Sequence, residues 1–181
     1  MRQPLNLVLA GFGGQGLLFA GKLIAYAGLI EGREVSWLPS YGPEMRGGTA
    51  NCSVCLSDGL IGSPLVLAPD AIIAMNQPSF DKFAAAIKPG GIAVVDSTMV
   101  ARIPPREGVR FCTVAATQLA EEGGLKGLAN VICVGRLFAQ TAFCEEASLF
   151  AAVDKCVSAS KKDLIGLNKE ALRIGIASAE D

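Results

Sequence analysis

Hydrophobic positions fall into short continuous runs in the first two thirds of the chain. Short runs rich in apolar residues, bounded by glycine, proline or polar residues, predict strands, and the runs 70–75 and 92–96 predict buried ones. The predicted strands span residues 5–10, 35–38, 49–56, 70–75, 92–96 and 110–114. A turn at 57–59 and the short run 60–61 predict that the third strand continues into a hairpin.

Apolar residues at helical spacing predict a first helix over residues 17–30. A second helix is predicted from about Ser79 to Ile87, with Asn76 as a capping residue before it. The last third of the chain is helical in pattern throughout, and Asn130 is predicted to cap the longest of its helices. These helices are predicted over residues 117–122, 128–144, 145–159 and 168–178, with residues 161–166 as a break.

Strands that alternate with helices are typical of an α/β fold. We predict a three-layer sandwich around a mixed, largely parallel sheet, Rossmann-like in arrangement, with a helical C-terminal third. No internal repeat, linker or low-complexity segment divides the chain. We therefore expect residues 1–181 to form a single domain.

A glycine-rich turn, Gly11-Phe12-Gly13-Gly14-Gln15-Gly16, joins the first predicted strand to the first predicted helix. Free backbone N–H groups and the positive end of the helix dipole favour an anion at such a turn. Close packing of strand and helix explains the glycines equally well. Dinucleotide binding is disfavoured, because the second strand ends in Pro39 and Ser40 without the acidic residue that would hold a ribose.

Composition narrows the classes of function. Hydrophobic residues make up 51% of the chain, charged residues 18%, and the formal net charge is −1. The apolar excess fits a buried parallel sheet or a subunit interface, and the weak charge argues against nucleic acid as a partner. The uncharged run 3–21 holds Pro4, Asn6, Gln15 and five glycines, so we expect neither a membrane span nor a signal peptide. A cytoplasmic protein is expected.

The chain has six cysteines and no histidine. Catalysis by a histidine base and metal binding by histidine are therefore excluded for this chain. Cys52 and Cys55 have the spacing of half a metal knuckle, but the second half is missing. On a strand their side chains would point to opposite faces. We therefore expect buried, reduced thiols and no metal site.

Several motifs together resemble one family, the gamma subunits of 2-oxoacid:ferredoxin oxidoreductases. The resemblance lies in the glycine-rich turn, the loop Ser40-Tyr41-Gly42-Pro43-Glu44-Met45-Arg46-Gly47-Gly48, Ser63-Pro64, Pro69-Asp70 and Ala129-Asn130. The amino-acid sequence of the loop is most similar to that of members that act on 2-oxoglutarate, with members acting on branched-chain 2-oxoacids as an alternative. Indolepyruvate oxidoreductase beta subunits share the glycine-rich turn.

This resemblance implies a subunit that is not active alone. The family's complexes decarboxylate a 2-oxoacid on thiamine diphosphate with Mg²⁺, pass electrons through iron–sulfur clusters to ferredoxin, and form an acyl-coenzyme A. The implied partners are alpha, beta and ferredoxin-like delta subunits, with ferredoxin as the electron acceptor. No cofactor is expected to be bound by this chain alone, which agrees with its lack of a cluster-type cysteine run.

We expect no catalytic residue in the chain but a binding site for a coenzyme A phosphate at the interface with the thiamine-binding subunits. Arg46 offers a charged planar fork and the turn offers backbone donors. Arg46 pairing with Glu44 or with a partner's carboxylate is an equal alternative, and Tyr41 fits an interface anchor or a packing residue. The expected cofactor-binding residues are Gly11, Gly13, Gly14, Gln15, Gly16, Tyr41, Arg46 and Gly47.

Two other classes of function remain open from the sequence. One is a freestanding nucleotide-binding oxidoreductase, which the glycine-rich turn after a strand would fit. The other is a non-catalytic anion-binding scaffold. Binding of a nicotinamide nucleotide by the isolated chain would indicate the first, and the absence of both ligand and activity would indicate the second.

Overall fold

A computed structural model describes residues 2–40 and 50–178. The strands are β1 (Leu5–Gly11), β2 (Glu34–Ser40), β3 (Ala50–Ser57), β4 (Ala71–Ala74), β5 (Ile92–Asp96) and β6 (Arg110–Val114). The helices are α1 (Leu17–Ile30), α2 (Gln77–Phe83), α3 (Ala116–Glu122), α4 (Ala129–Thr141), α5 (Glu146–Cys156) and α6 (Asp163–Ala177). Short 3₁₀ turns follow α2 at Ala84–Ala86 and precede α6 at Ala159–Lys161.

The strands form one mixed sheet in the order β2-β3-β1-β4-β5-β6. The pairs β1–β4, β4–β5 and β5–β6 are parallel, whereas β3 is antiparallel to both of its neighbours. The predicted α/β fold and mixed sheet are confirmed. The predicted hairpin of β3 with residues 60–61 is wrong, because β1 and β2 already occupy both edges of β3.

The sheet has a hydrophobic core on each face. Successive side chains of a strand point to opposite faces, so Leu7 and Leu9 of β1 join one core while Val8 and Ala10 join the other. The larger core also contains buried residues of α1, α3, α4, α5 and α6. The smaller core packs around Phe80 of α2. Helices therefore cover both faces, as the sandwich prediction required.

The C-terminal helices pack through glycines. A Cβ on Gly175 of α6 would stand 2.0 Å from the carbonyl oxygen of Ile132, and one on Gly135 of α4 would stand 2.3 Å from that of Leu172. Such distances mean that the two backbones are in direct contact. The predicted break at 161–166 extends too far, since α6 begins at Asp163. The partly buried Ile165 packs against the larger core, and this packing favours the helix despite the low propensity of Gly166.

The predicted burial of the cysteines is confirmed for five of the six, and Cys156 is half-buried. Cys52 faces α1, where its Sγ lies 3.5 Å from the carbonyl oxygen of Leu17, while Cys55 faces Ser63 on the other side of the sheet. Burial raises the pKa of Cys52 and of Cys144 to about 12, and that of Cys156 to about 11. The thiols of Cys52, Cys144 and Cys156 therefore stay protonated at neutral pH.

Alkylation should report this burial. At pH 8 we expect Cys156 to react with iodoacetamide before the five buried thiols, and its rate should rise about tenfold per pH unit up to pH 10, because the thiolate is the reactive form and its pKa lies near 11. Mass spectrometry of a time course measures the rate. In denaturant the rates of all six should level off near pH 9. A native rate that levels off there too would contradict the raised pKa.

No helix within residues 2–40 and 50–178 is both long enough and apolar enough to cross a membrane.

Candidate functional site at the glycine-rich turn

The glycine-rich turn connects the carboxyl end of β1 to the amino end of α1. Gly14 has a φ of +94° and Gly16, the N-cap of α1, has a φ of +74°, values that side chains with a Cβ rarely adopt. No side chain caps α1, and its first turn holds no acidic residue. The first backbone N–H groups of the helix are thus available to an anion, and the helix dipole favours one there.

Gln15 fixes the turn to the neighbouring strand β4. Its Oε1 accepts a hydrogen bond from the backbone N–H of Phe12 at 2.6 Å, and its Nε2 donates to the carbonyl oxygen of Met75 at 3.0 Å. A Cβ on Gly11 would stand 2.4 Å from the same Oε1. Gly11 therefore has to be glycine for Gln15 to turn inward. In the structure the side-chain amide of Gln15 positions the turn, and a contact of this residue with a ligand stays a prediction.

Asn130, in the first turn of α4, holds the glycine-rich turn from a distant position in the chain. Its Nδ2 donates to the carbonyl oxygen of Gly16 at 2.8 Å. The N-cap of α4 is Leu128, without a side-chain hydrogen bond, so the prediction that Asn130 caps this helix is wrong. The sequence showed that Asn130 belongs to a motif beside a helix start. Its hydrogen bond to Gly16, 114 positions earlier in the chain, is visible only in the fold.

Polar residues that follow or end β4 and β5, namely Asn76, Gln77 and Asp96, serve the fold. Asn76 caps α2 as predicted, since its Oδ1 accepts from the N–H of Ser79 at 2.8 Å. Gln77 hydrogen-bonds with the backbone of Arg102. The fully buried Asp96 accepts from the Oγ1 of Thr117 at 2.5 Å and from a backbone N–H of the following turn. The hydrogen bonds of these side chains are made within the chain.

Three neighbouring clefts lie around the turn, and any two of them have one lining glycine in common. Gly14 is common to the 220 and 260 Å³ clefts, Gly16 to the 260 and 360 Å³ clefts, and Gly127 to the 220 and 360 Å³ clefts. Their volumes are about 220, 260 and 360 Å³. The 260 Å³ cleft is lined by Gly13, Gly14 and Gly16 and also by Ser40 and Ala50.

Ser40 and Ala50, the described residues on either side of 41–49, therefore both lie beside the glycine-rich turn. The predicted site residues Tyr41, Arg46 and Gly47 themselves lie outside the described residues. Gly11, Gly13, Gly14, Gln15 and Gly16 lie together in the turn.

The described residues offer no group of three or more histidine, cysteine, aspartate or glutamate side chains that could hold a metal ion. An iron–sulfur cluster, which takes several cysteine ligands, does not fit the donor set of this part of the chain.

The family model for pyruvate ferredoxin/flavodoxin oxidoreductase matches residues 6–178. The chain belongs to the pyruvate ferredoxin/flavodoxin oxidoreductase family. Ketoisovalerate oxidoreductase subunit VorA of Methanothermobacter marburgensis is 39% identical over 173 residues, which are 96% of this chain and 36% of VorA. 2-Oxoglutarate synthase subunit KorC of Methanocaldococcus jannaschii is 34% identical over 93% of this chain and 92% of KorC. The chain thus spans about a third of the VorA relatives it matches.

Solved structures of this oxidoreductase family share the fold. The gamma subunit of a keto/oxoacid ferredoxin oxidoreductase from Geobacter sulfurreducens superposes with a TM-score of 0.85 at 30% identity, covering 97% of this chain and 98% of that subunit. 2-Oxoglutarate:ferredoxin oxidoreductase from Magnetococcus marinus, solved with 2-oxoglutarate, coenzyme A and succinyl-CoA bound, gives 0.86 at 25% identity. This chain corresponds to 32% of the Magnetococcus chain. The same fold therefore occurs both as a separate subunit and as part of a longer polypeptide.

Proposed function

We propose that this chain is the gamma subunit of a multisubunit 2-oxoacid:ferredoxin oxidoreductase. In this reaction a 2-oxoacid and coenzyme A yield an acyl-coenzyme A and carbon dioxide, and two electrons pass to ferredoxin. The observation that carries the proposal is the near-complete match, in both directions, to separate subunits of such enzymes: KorC in sequence and the Geobacter gamma subunit in structure.

The substrate in our proposal is 2-oxoglutarate. KorC proteins from three further archaeal sources also match, at 31 to 37% identity. The competing substrate is ketoisovalerate, because the VorA relatives have 39% identity. We infer that the cofactor chemistry takes place on other chains, since the described residues include no metal-ligating cluster. Thiamine diphosphate, Mg²⁺ and iron–sulfur clusters would be held by alpha, beta and ferredoxin-like delta subunits.

The role we propose for this chain is to hold coenzyme A by a phosphate group. The uncapped amino end of α1 supplies backbone donors, and Arg46, from the loop that begins and ends beside the turn, supplies a bidentate cation. Two hydrogen bonds position the turn: Gln15 donates to the carbonyl oxygen of Met75, and Asn130 donates to the carbonyl oxygen of Gly16. The apolar composition of the chain suits a subunit with large interfaces.

Replacing Arg46 by alanine tests this role. In the assembled complex we expect the Michaelis constant for coenzyme A to rise about tenfold to a hundredfold, the range for a lost hydrogen bond to a charged group, with kcat little changed. Arg102→Ala is the matched control, because this side chain is exposed and its one ion pair among the described residues is with Asp81, at 4.0 Å. Loss of the complex in the Arg46 variant would instead assign Arg46 to a structural ion pair.

Purification of the tagged chain from its native cells tests the proposal as a whole. We expect a complex that contains iron and thiamine diphosphate and reduces ferredoxin when supplied with 2-oxoglutarate and coenzyme A. Comparison of 2-oxoglutarate with ketoisovalerate identifies the substrate. A lone 18.7 kDa chain without iron would overturn the subunit proposal and favour a freestanding nucleotide-binding protein or a scaffold.

A further inference from the structure

The largest cleft beside the turn, which we call the Lys161 cleft, has a volume of about 360 Å³ and lies between the amino ends of α1 and α4 and the start of α6. This volume is at the lower end of the range for small-molecule sites. Phe19, Leu128, Val157 and Leu164 form its apolar walls. Its location is distinct from the 260 Å³ cleft beside residues 41–49, with which it shares Gly16 alone.

The charges around the Lys161 cleft favour an anion. Its lining includes no carboxylate, and Lys161 makes no ion pair within the described ranges 2–40 and 50–178. Gly16 and Leu128, the N-caps of α1 and α4, both line it, and neither helix has a side-chain cap or an acidic residue in its first turn. Burial raises the pKa of Cys156, which also lines the cleft, to about 11, so this thiol carries no charge at neutral pH.

Two buried amide oxygens of the cleft lack hydrogen-bond donors. Asn130 and Asn168 both line the cleft and are each 2% exposed. The Nδ2 of Asn130 donates to the carbonyl oxygen of Gly16, and the Nδ2 of Asn168 donates to that of Leu164. Neither Oδ1 has a hydrogen-bond partner in the described part of the chain. A buried acceptor without a donor is costly. A ligand that brings an –NH₂ group, with two N–H donors and no charge, would satisfy these oxygens.

We propose that the Lys161 cleft binds an aminopurine nucleotide. The phosphate lies at Lys161 and the amino end of α4, the planar base packs against Phe19 and its apolar neighbours, and the exocyclic amino group donates to Asn130 and Asn168. An ammonium ligand fits less well, because Lys161 would repel it and no carboxylate of the lining would balance its charge. Ser158 and Ser160, whose hydroxyl groups hydrogen-bond to each other at 3.0 Å, also line the cleft.

Isothermal titration of the 181-residue chain with AMP tests the inference. We expect AMP to bind and IMP to bind about tenfold more weakly or worse, because IMP presents a carbonyl oxygen where AMP has the amino group. Adenosine, which lacks the phosphate, should also bind more weakly. Binding of IMP as tight as that of AMP would overturn the role of the two asparagines. No binding of AMP would overturn the site, and water would then satisfy the amide oxygens.

Variants at exposed positions locate the binding without disturbing the fold. Lys161→Ala should weaken AMP binding about tenfold, whereas Lys162→Ala, the neighbouring lysine outside the lining, should not. Leu164→Trp should block binding by filling the cleft. Equal AMP binding by the Lys161 and Leu164 variants and the parent would overturn the assignment to this cleft.

Competition identifies the source of the nucleotide. Displacement of AMP by coenzyme A but not by pantetheine would indicate the nucleotide end of coenzyme A, and AMP binding that coenzyme A does not displace would indicate a free nucleotide. Both results require the same aminopurine chemistry. The inference does not rest on the proposed function. The titrations need neither a partner subunit nor enzyme activity, so their results can be interpreted even where no complex forms.

Discussion

Replacing Gly175 by alanine is expected to lower the free energy of unfolding by about 3 kcal/mol or more, the upper range for overpacking. The new Cβ would stand 2.0 Å from the carbonyl oxygen of Ile132 and 2.9 Å from the backbone nitrogen of Arg136. These are backbone atoms of α4, so no side-chain rotation can relieve the contact. The two helices would have to separate, and buried residues of both, including Leu137 and Leu172, would lose packing. Denaturant unfolding measures the change.

Gly166→Ala is the matched control for this prediction. Gly166 lies in the same helix with nothing within 4 Å of an added Cβ. Alanine there should stabilise the protein by about 0.5 to 1 kcal/mol, because it has the higher helix propensity and restricts the unfolded chain. Opposite signs for the two substitutions would assign the loss at Gly175 to helix contact. A Gly175 variant as stable as the parent would show that α4 and α6 can move apart freely.

Gly16→Ala is expected to lower the free energy of unfolding by about 2 to 3 kcal/mol. The residue has a φ of +74°, and its Cβ would stand 2.6 Å from the Nδ2 of Asn130. Because that Nδ2 donates to the carbonyl oxygen of Gly16, the substitution strains the backbone and also displaces the side chain that holds the turn. We expect a raised Michaelis constant for coenzyme A in the complex as well, if the turn holds a phosphate as proposed.

Gly14→Ala separates these two effects. Gly14 has a φ of +94° but nothing within 4 Å of an added Cβ, so its substitution should cost only the backbone strain, about 1 to 2 kcal/mol. In an Asn130→Ala background the extra cost of Gly16→Ala over Gly14→Ala should shrink, because the clash is gone. An unchanged difference between the two variants would show that Asn130 does not restrict Gly16. Thermal or denaturant unfolding of the four combinations supplies the values.

Local patterns were sufficient for the strands and for the glycine-rich turn. Residues 92–96 and 110–114 were predicted with the bounds that the structure shows. The central strand β5 was recognisable because it is apolar on both faces and lies between Gly91 and Ser97. The edge strand β6 carries polar side chains at Arg110 and Thr113, both exposed, and buried ones at Cys112 and Val114. The role of Asn76 was predictable for the same reason, since a cap contacts a residue only three positions away. The turn was recognisable because glycines at positive φ are required where a strand passes into a helix.

Interactions between distant positions were the ones that sequence reasoning missed. The pairing of β3 with both β1 and β2 excluded the predicted hairpin, and no local signal shows which strand edges are already occupied. Asn130 was assigned to its own helix, whereas it holds Gly16. Gly166 indicated a break, but packing of α6 on the core outweighed helix propensity.

The sequence by itself determined the class of fold, the anion-favouring turn and the resemblance to the family, because each depends on residue types and spacings within a short stretch. Only the tertiary structure decided that Gln15 and Asn130 position the turn, and that Asn130 and Asn168 meet Lys161 in one cleft. The physical reason is the same in each case. A hydrogen bond or a cleft between positions that are far apart in the chain depends on how whole elements pack, and this information is not contained in any local pattern.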